Sequence, residues 1–529
     1  MNCVLLRRRL LAASLLLLAG GCTSVHDYIH NGFKVGPNYA PPCASVAEHW
    51  IDAADLRTDA NPDLLRCWWT VFGDPKLNEL IDCSYRQNLT LREAGFRILQ
   101  ARETKNIATG NLFPQRQVAT GSYTRNAVAV EPGAGPGINR FSDRWSYGFA
   151  LNWELDFWGR YRRAIAAADA SLDASVADYD DVLVTLLGDV AVNYVIVRTT
   201  QERIALLQAN VELQRGIVRF IDDRLQAGFK QTELDLDQAV STLRQTEAAI
   251  PQLEITLRQA ENNLCVLLGI PTSDLTVMLG AGPTPTPPPE AVVGVPIDLV
   301  RRRPDVRRAE RLAAAQAEQI GIATTDLYPA FSIDGNFGYS ARHFGDLFRS
   351  TSFNGSVGPS FQWNLLNYGR IAANVKYQDA RFQELVVAYQ QTVLQANAEA
   401  ENGLVEYLRS QRRQKLLDES VAAARKALDV VILQFKKGAV DFNRYALIEQ
   451  NLVTQQDQAA QARGQVAQGL IDFYRALGGG WEIRLDQAAT APPPVTVVPV
   501  IPPPPPEPQP APPPPEPIPR PRPLEPGAR

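Results

Sequence analysis

Histidine and methionine are scarce in this chain of 529 residues, which contains four histidines and two methionines. The histidines do not have the spacing of metal ligands and do not lie beside a recognisable nucleophile; they are His26, His30, His49 and His343. Histidine, cysteine and clustered carboxylates carry most acid-base and metal chemistry in proteins. The shortage therefore predicts that the chain is not an enzyme and that it binds no cofactor and no metal.

An excess of either charge is also lacking. The chain has 53 basic and 57 acidic residues, which gives a formal net charge of −4. Proteins that bind nucleic acid neutralise its phosphates with a basic face. The balance of charges therefore excludes nucleic acid as an expected partner.

The hydrophobic run near the N-terminus is short. Arginines occupy positions 7–9, a mainly apolar stretch follows at 10–18, and the small residues 19–21 lead to Cys22. A membrane-spanning helix needs about 20 apolar residues, so this stretch is too short to remain in a bilayer as a mature helix. Residues 1–21 are predicted to be an export signal.

Small residues directly before a cysteine resemble a bacterial lipobox, in which the cysteine becomes the lipid-carrying N-terminus of the mature chain. Ala19 stands where that motif usually has leucine. The alternative is an ordinary secreted protein in which Cys22 is incidental. Thr23, rather than aspartate, follows Cys22, and under the usual bacterial sorting pattern this indicates the outer membrane.

Four cysteines would remain beyond this position: Cys43, Cys67, Cys83 and Cys265. They form no CxxC motif, and we expect them to be buried apolar thiols. Because the periplasm is oxidising, a disulfide could form between Cys43 and Cys67 or between Cys67 and Cys83, and the sequence does not decide between these pairings and free thiols.

One motif occurs twice, at 153–160 and again 210 residues later at 363–370. Each copy ends in Gly-Arg and is followed by an Ala-rich helical pattern. Other landmarks recur at nearly the same offset: Leu112-Phe113-Pro114 with Leu327-Tyr328-Pro329, Gly228 with Gly438, and Gly269 with Gly478. These matches predict an internal duplication. Glycine lets the backbone change geometry, so the strand-to-helix transitions are placed at Gly159, Arg160, Gly369 and Arg370.

Strict alternation of apolar and polar residues at 145–157 predicts a long strand. Similar patterns at 331–339 and 353–365, and a weaker one at 115–124, predict three more. The strand at 145–157 is close to the length needed to cross a bilayer, about 10 residues. Its aromatic side chains are concentrated on one face, as expected for a face that meets lipid. An edge strand of a soluble sandwich would explain the alternation but not the aromatic weight.

Helical patterns about 67 residues long follow each Gly-Arg, at 160–226 and 371–437. At 1.5 Å per residue each would extend about 100 Å, and a helix of that length must pack along its whole length. Return helices are predicted at 232–268, where Pro251 either breaks or kinks the helix, and at 442–477. Shorter helices are predicted at 75–111 and 297–326.

The chain therefore divides into an arm, two repeats, a connector and a proline-rich tail after the signal. The tail contains 20 of the chain's 39 prolines, all of them after position 490, and such a composition cannot build a core. The predicted segments are 22–74 for the lipid-anchored arm, 75–270 for the first repeat, 271–297 for the connector, 298–480 for the second repeat and 481–529 for the tail.

Four membrane strands cannot close a barrel by themselves, and unpaired strand edges in lipid are costly. The chain is therefore expected to oligomerise. Three copies would supply twelve strands, and their long helices would continue the barrel as a tube. The fold class expected is an α+β membrane channel whose lumen is lined by the polar face of each strand.

Several short motifs together resemble the TolC-like outer membrane efflux proteins, in their lipoprotein (OprM-like) branch. They are the lipobox at Cys22, Val35-Gly36-Pro37-Asn38-Tyr39, Trp68-Trp69 with Phe72-Gly73-Asp74, Arg303-Pro304-Asp305-Val306-Arg307, the doubled Gly-Arg and Ala476-Leu477-Gly478-Gly479. The resemblance covers roughly residues 10–485. It implies a homotrimer with a twelve-stranded outer-membrane barrel and an α-helical periplasmic tunnel. It also implies coupling to a periplasmic adaptor and an inner-membrane pump of the RND type.

Such a channel would have its periplasmic tip where each long helix reverses. Our hypothesis is that side chains there form contacts between protomers that close the tip: Asp441, Arg444 and Tyr445, with Asp235 and Asp237 nearby. The alternative is that these are solvated charges at helix ends. For contact with the adaptor we expect the exposed turns at Gly228, Phe229, Gly438 and Ala439.

Two other functions stay open. The chain could be the outer-membrane duct of a type I secretion or metal-efflux system, although two methionines and no histidine cluster argue mildly against a metal relay. From a different class, it could be a lipid-anchored helical scaffold with a soluble sheet and no channel. The transported substrate cannot be predicted from generic polar residues.

Overall fold

The computed structural model describes residues 25–47, 49–51, 63–129, 140–228, 233–288 and 301–485. One compact unit ends at Ile483. The described helices are α1 Val25–His30, α2 Asp63–Arg66, α3 Pro75–Gln87, α4 Leu89–Gly110, α5 Arg160–Gln226, α6 Glu233–Leu267, α7 Thr276–Leu279, α8 Pro304–Thr325, α9 Arg370–Lys436 and α10 Phe442–Ala476. The strands are β1 Arg116–Ala127, β2 Phe141–Leu155, β3 Ala330–Ala341 and β4 Phe353–Gln362.

The four strands form one antiparallel sheet in the order β1-β2-β3-β4. The hairpin β1-β2 comes from the first half of the chain and β3-β4 from the second, and β2 pairs with β3 over Trp145–Leu155. The outer edges of β1 and β4 have no strand beside them within the described protomer. The predicted α+β organisation with four strands is confirmed.

The helices repeat in length as well as in order. Helices α5 and α9 each have 67 residues, and α6 and α10 each have 35. Helix α6 continues through Pro251, so of the two alternatives the proline is tolerated rather than breaking the helix. Helix α5 contains an apolar window long enough to cross a membrane, but 67% of that window is buried inside the protein. It therefore packs as a core helix of the bundle.

The main hydrophobic core lies around the middle of the long helices. It joins the central part of α5 to α3, α9 and α10, and Trp68 stacks on Tyr474 within it. Glycines permit the close approach of α9 and α10, because a Cβ at Gly403 would lie 2.8 Å from the Cα of Phe473. A second, smaller cluster lies near the end of the bundle opposite the sheet and contains Phe435, Phe442 and Tyr445.

The N-terminal segment 25–47 lies across the two repeats, as an extended arm would. Val35 is buried, and the Arg163 side chain, with no exposed surface, donates hydrogen bonds to the carbonyl oxygens of Val35 (2.7 Å) and Gly36 (2.9 Å). Arg163 also pairs with Glu318 at 2.7 Å. Gly36 has a φ of +85° and lies so close to Gly321 that a Cβ would approach its Cα to 2.8 Å. The motif that begins at Val35-Gly36 therefore docks the arm onto both repeats.

Several details differ from the sequence predictions. Strand β2, predicted at 145–157, runs from Phe141 to Leu155. The helix predicted at 75–111 is two helices, because the Asn88 side chain accepts a hydrogen bond from the Leu91 backbone N–H and caps a new helix. Helix α8 begins at Pro304, whose ring suits the first turn. Strand β4 ends at Gln362 rather than 365. Of the four cysteines predicted to be buried, only Cys265 is; Cys43 is exposed, Cys67 and Cys83 are half-buried, and all four are free thiols.

Candidate functional site

The sheet has one aromatic face and one polar face. Direct partners across the strands place apolar side chains on the same side: Tyr123 with Trp145, Tyr147 with Tyr339, Phe149 with Phe337 and Phe331 with Phe361. The other side carries a polar network in which Asp334 accepts hydrogen bonds from Asn152 (2.6 Å) and Ser360 (2.5 Å). Such a sheet can separate lipid from water.

The first junction, residues 153–160, connects β2 to α5 and is tied down on several sides. The Trp153 indole donates to the Leu112 carbonyl oxygen at 3.2 Å. Gly159 adopts a left-handed conformation, with φ +85°, at the N-cap of α5. A Cβ there would lie 2.5 Å from Cγ of Lys34 in the arm, so glycine is required both for the backbone angle and for the arm's close approach.

Asp156 connects the first junction to the helix and to the arm. Its carboxylate accepts hydrogen bonds from the backbone N–H groups of Tyr161 (2.9 Å) and Arg162 (3.1 Å) and from the Arg162 guanidinium. Arg162 in turn donates to the carbonyl oxygens of Gly32 and Phe33, both at 2.7 Å. A carboxylate at the start of a helix also satisfies the free N–H groups there.

The second junction, residues 363–370, repeats part of this geometry. The Trp363 indole donates to the Leu327 carbonyl oxygen at 3.0 Å, which is the duplicate of the bond from Trp153. Gly369 has a φ of +82° at the N-cap of α9. Unlike Gly159, it has open space around the position of a Cβ, and Arg370 is exposed.

The turn before α10 holds the residues predicted to close the tip. Asp441 is exposed and caps α10, accepting a hydrogen bond from the Arg444 backbone N–H at 2.9 Å. Arg444 is also exposed. Tyr445, by contrast, is only 1% exposed and packs against Phe435 and Phe442. This corrects the prediction for Tyr445, because a ring buried in its own protomer supports the turn from inside and cannot reach a neighbouring one.

The other predicted tip residues lie where the long helices reverse. Gly228 and Gly438 are exposed and have φ of +77° and +74°, which explains the requirement for glycine at each helix end. Ala439 and Asp237 are exposed, and Asp235 is half-buried. Phe229 lies outside the described residues, as does Cys22.

Sequence reasoning missed a set of buried polar contacts between α5 and α10. Asn210 donates to Gln456 at 3.0 Å and Gln214 donates to Glu449 at 2.7 Å. Burial raises the pKa of Glu449 to about 7, while the hydrogen bond from Gln214 opposes this shift. Polar residues inside a helical stripe were the only available signal. Among the described residues, no group of histidine, cysteine and carboxylate side chains could hold a metal ion.

A family model for outer membrane efflux proteins matches residues 80–270 and 295–479, which is most of the chain. The chain belongs to the outer membrane efflux protein family. The two matched segments correspond to the two structural repeats, and this family is the one that the sequence motifs resembled. Its members are channel proteins rather than enzymes.

Individual relatives and solved structures that resemble this outer membrane efflux protein are consistent with this family assignment. The pyoverdine export outer membrane protein OpmQ of Pseudomonas putida is 29% identical over 84% of this chain and 94% of its own length. The outer membrane protein OprJ of Pseudomonas aeruginosa is 28% identical over 85% of this chain and 93% of its own. The solved structure of the outer-membrane channel OprN is 31% identical, with a TM-score of 0.77, and the match covers 85% of this chain and 99% of that one.

These findings confirm the predicted TolC-like fold and function. The protein is an outer-membrane exit duct for tripartite efflux. Two faces of opposite polarity on the sheet and paired helices of 67 residues are the features that a duct of this kind requires. The interpretation as a scaffold without a channel is therefore set aside.

Proposed function

We propose that three copies of this protein close a twelve-stranded barrel in the outer membrane and continue it as a helical tube in the periplasm. The observation that carries this proposal is the pair of open edges on β1 and β4. A backbone edge exposed to hydrocarbon leaves several N–H and C=O groups without partners, each at a cost of several kcal/mol. Pairing β4 of one copy with β1 of the next removes both edges.

The partners proposed are a periplasmic adaptor and an inner-membrane pump. The family description and the printed name of one relative, a solvent efflux pump outer membrane protein, support this class of assembly. The exposed turns at Gly228 and Gly438 are the surfaces farthest from the sheet, so an adaptor would meet them first, together with Phe229 and Ala439. The substrate is whatever such a pump delivers.

Lipid attachment at Cys22 is part of the same proposal. The small residues 19–21 before this cysteine support it, and the lipid would hold the arm at the membrane from which the sheet and the first junction begin. Growth with labelled palmitate should label the wild-type chain and not the Cys22→Ser variant. Equal labelling of both chains would exclude lipidation at this cysteine.

The experiment that tests the proposed duct is reconstitution of the purified, full-length protein in planar lipid bilayers. We expect trimers that resist SDS until boiled and that form conducting channels. A chain that leaves the membrane as a soluble monomer after delipidation, or that never conducts, would overturn the proposal.

A further inference from the structure

The second junction, residues 363–370, has exposed apolar side chains at positions where the first junction is packed against other segments. Tyr368 is 97% exposed, Leu366 85% and Leu365 65%. Tyr368 also has a φ of +52°, which is uncommon for a residue with a side chain. Among the residues that the structure describes, no hydrogen bond or ring contact of the Tyr368 side chain compensates for this strained backbone. The surface therefore combines an unfavourable conformation with an uncovered aromatic ring.

The duplicate position shows what would cover it. Trp158 is the counterpart of Tyr368, and its ring lies 4.6 Å from the ring of Tyr328. The Trp158 indole donates to the Pro329 carbonyl oxygen at 2.8 Å. Next to it, Arg160 pairs with Asp326 at 3.1 Å. The first junction thus rests on segment 326–329, which leads into the neighbouring strand β3.

The counterpart of that covering segment also lies uncovered. Residues 111–114 lead from α4 into β1 as 326–329 lead from α8 into β3. Phe113, the counterpart of Tyr328, is 62% exposed, and Asn111 is exposed at the position of Asp326. Strands β1 and β4 are opposite edges of the sheet. The exposed second junction and the exposed segment 111–114 therefore lie at opposite sides of one protomer.

The arm cannot fill this gap as it fills the first one. At the first junction, Asp156 and Arg162 hold the arm. Their counterparts in the second repeat are Leu366 and Ala372, whose side chains have no polar atoms and cannot hydrogen-bond an arm. Part of what covers the first junction therefore has no equivalent in the second repeat of the same chain.

We propose that Tyr368 of one protomer packs on Phe113 of the next copy, with Arg370 facing Asn111. The contact reproduces between chains what Trp158, Tyr328, Arg160 and Asp326 make within one chain. It rests on the proposed trimer, because pairing of β4 with β1 of the next copy is what brings the two segments together. A tyrosine suits this place because it buries an apolar ring and keeps a polar tip.

The test is chemical cross-linking of full-length protein in outer membranes. In a Cys43→Ser background, which removes the exposed native thiol, Tyr368→Cys is combined with Phe113→Cys and treated with a short bismaleimide. The matched control combines Tyr368→Cys with Phe96→Cys, since Phe96 is a 53% exposed ring on α4, the helix that precedes segment 111–114, and has no counterpart at the first junction. We expect covalent dimers and trimers after boiling for the first pair, and at least a tenfold lower yield for the control.

Trimers that resist SDS but give no cross-link at Phe113, or an equal yield at Phe96, would overturn the contact and leave the duct intact. Monomers only would remove the trimer and the contact together. As a second measurement, Tyr368→Ala should lower the temperature at which the trimer dissociates in SDS, and Tyr368→Trp, which copies the first junction, should preserve it. If both variants dissociate like wild type, Tyr368 faces lipid and the contact is excluded.

Discussion

At the scale of single residues, Glu449 has the environment with the clearest consequence. It lies in α10, 1% exposed, and its carboxylate accepts a hydrogen bond from Gln214 of α5. The hydroxyl of Tyr445, one turn away, is buried without a hydrogen-bond partner among the described residues. The group is therefore a carboxyl in poorly polar surroundings, and burial raises its pKa to about 7 from the ordinary value of 4.5.

The shift predicts how stability depends on pH. Between about 4.5 and 7 the folded chain holds a proton on Glu449 that the unfolded chain has lost. Its contribution to the free energy of unfolding is therefore complete below pH 4.5 and is lost as pH rises to 7. Glu449→Gln should remove about 2 to 3 kcal/mol of this pH dependence.

Denaturant titrations of the purified protein at pH 5 and pH 8 would measure the difference. The control variant is Glu384→Gln, since that carboxylate is exposed. If Glu449→Gln and wild type lose the same stability between the two pH values, the carboxyl is not protonated in the folded state.

At the scale of elements, the long helices depend on glycine for their spacing. Gly403 of α9 faces the backbone of α10 at Phe473, and Gly469 of α10 faces the backbone of α9 at Tyr407. A methyl group at either place would meet backbone atoms at 2.8 to 2.9 Å. Backbone atoms cannot rotate away as a flexible side chain can. The close approach of α9 and α10 therefore requires glycine at both positions.

Gly403→Ala is therefore expected to destabilise the protein by about 1 to 3 kcal/mol, which is typical of overpacking. Gly216→Ala is the matched control, because Gly216 lies inside α5 with nothing within 4 Å of the added methyl group. There alanine should stabilise the helix by up to about 1 kcal/mol. Thermal unfolding of both variants decides the matter: similar loss at the two sites would mean that the effect is not one of helix spacing.

The duplicated elements were predictable because their signals are local. The two long helices were placed to within a residue, since glycine ends each one and no proline interrupts them. The break at Asn88 was not predicted, because an asparagine within an amphipathic pattern signals a cap only when its side chain turns toward the following backbone. The end of β4 at Gln362 was missed because alternation continues beyond the paired residues.

At the scale of the whole molecule, we propose that the periplasmic tip determines whether the duct is open. Our hypothesis is that Asp441 and Arg444 of neighbouring copies contact one another, with Asp235 and Asp237 close by. Asp237, Asp441 and Arg444 are exposed in one protomer, which supports this hypothesis; the alternative is that these charges are solvated. Tyr445 has a different role, because it belongs to the small core beneath the turn.

The gate is tested by removing charge without removing the helix cap. Asp441→Asn with Arg444→Gln keeps a side-chain oxygen that can accept from the backbone N–H of residue 444. If the charged contacts of the trimer together contribute about 1 kcal/mol, the open population of single channels should rise about fivefold. The control is Arg381→Gln with Glu384→Gln, an exposed pair on α9. Unchanged conductance and open probability would refute the gate.

The sequence by itself determined the duplication, the strands, the long helices and the family, because each depends on periodicity and on short motifs that can be recognised along the chain. Only the tertiary structure decided which copies of a repeated feature are covered. Trp158 and Tyr368 have the same place in the repeat, yet the arm and segment 326–329 cover one of them while the other is 97% exposed. The same holds for Tyr445, whose burial depends on Phe435 and Phe442 around it. Burial is a property of neighbours brought together from distant positions, and no local pattern records it.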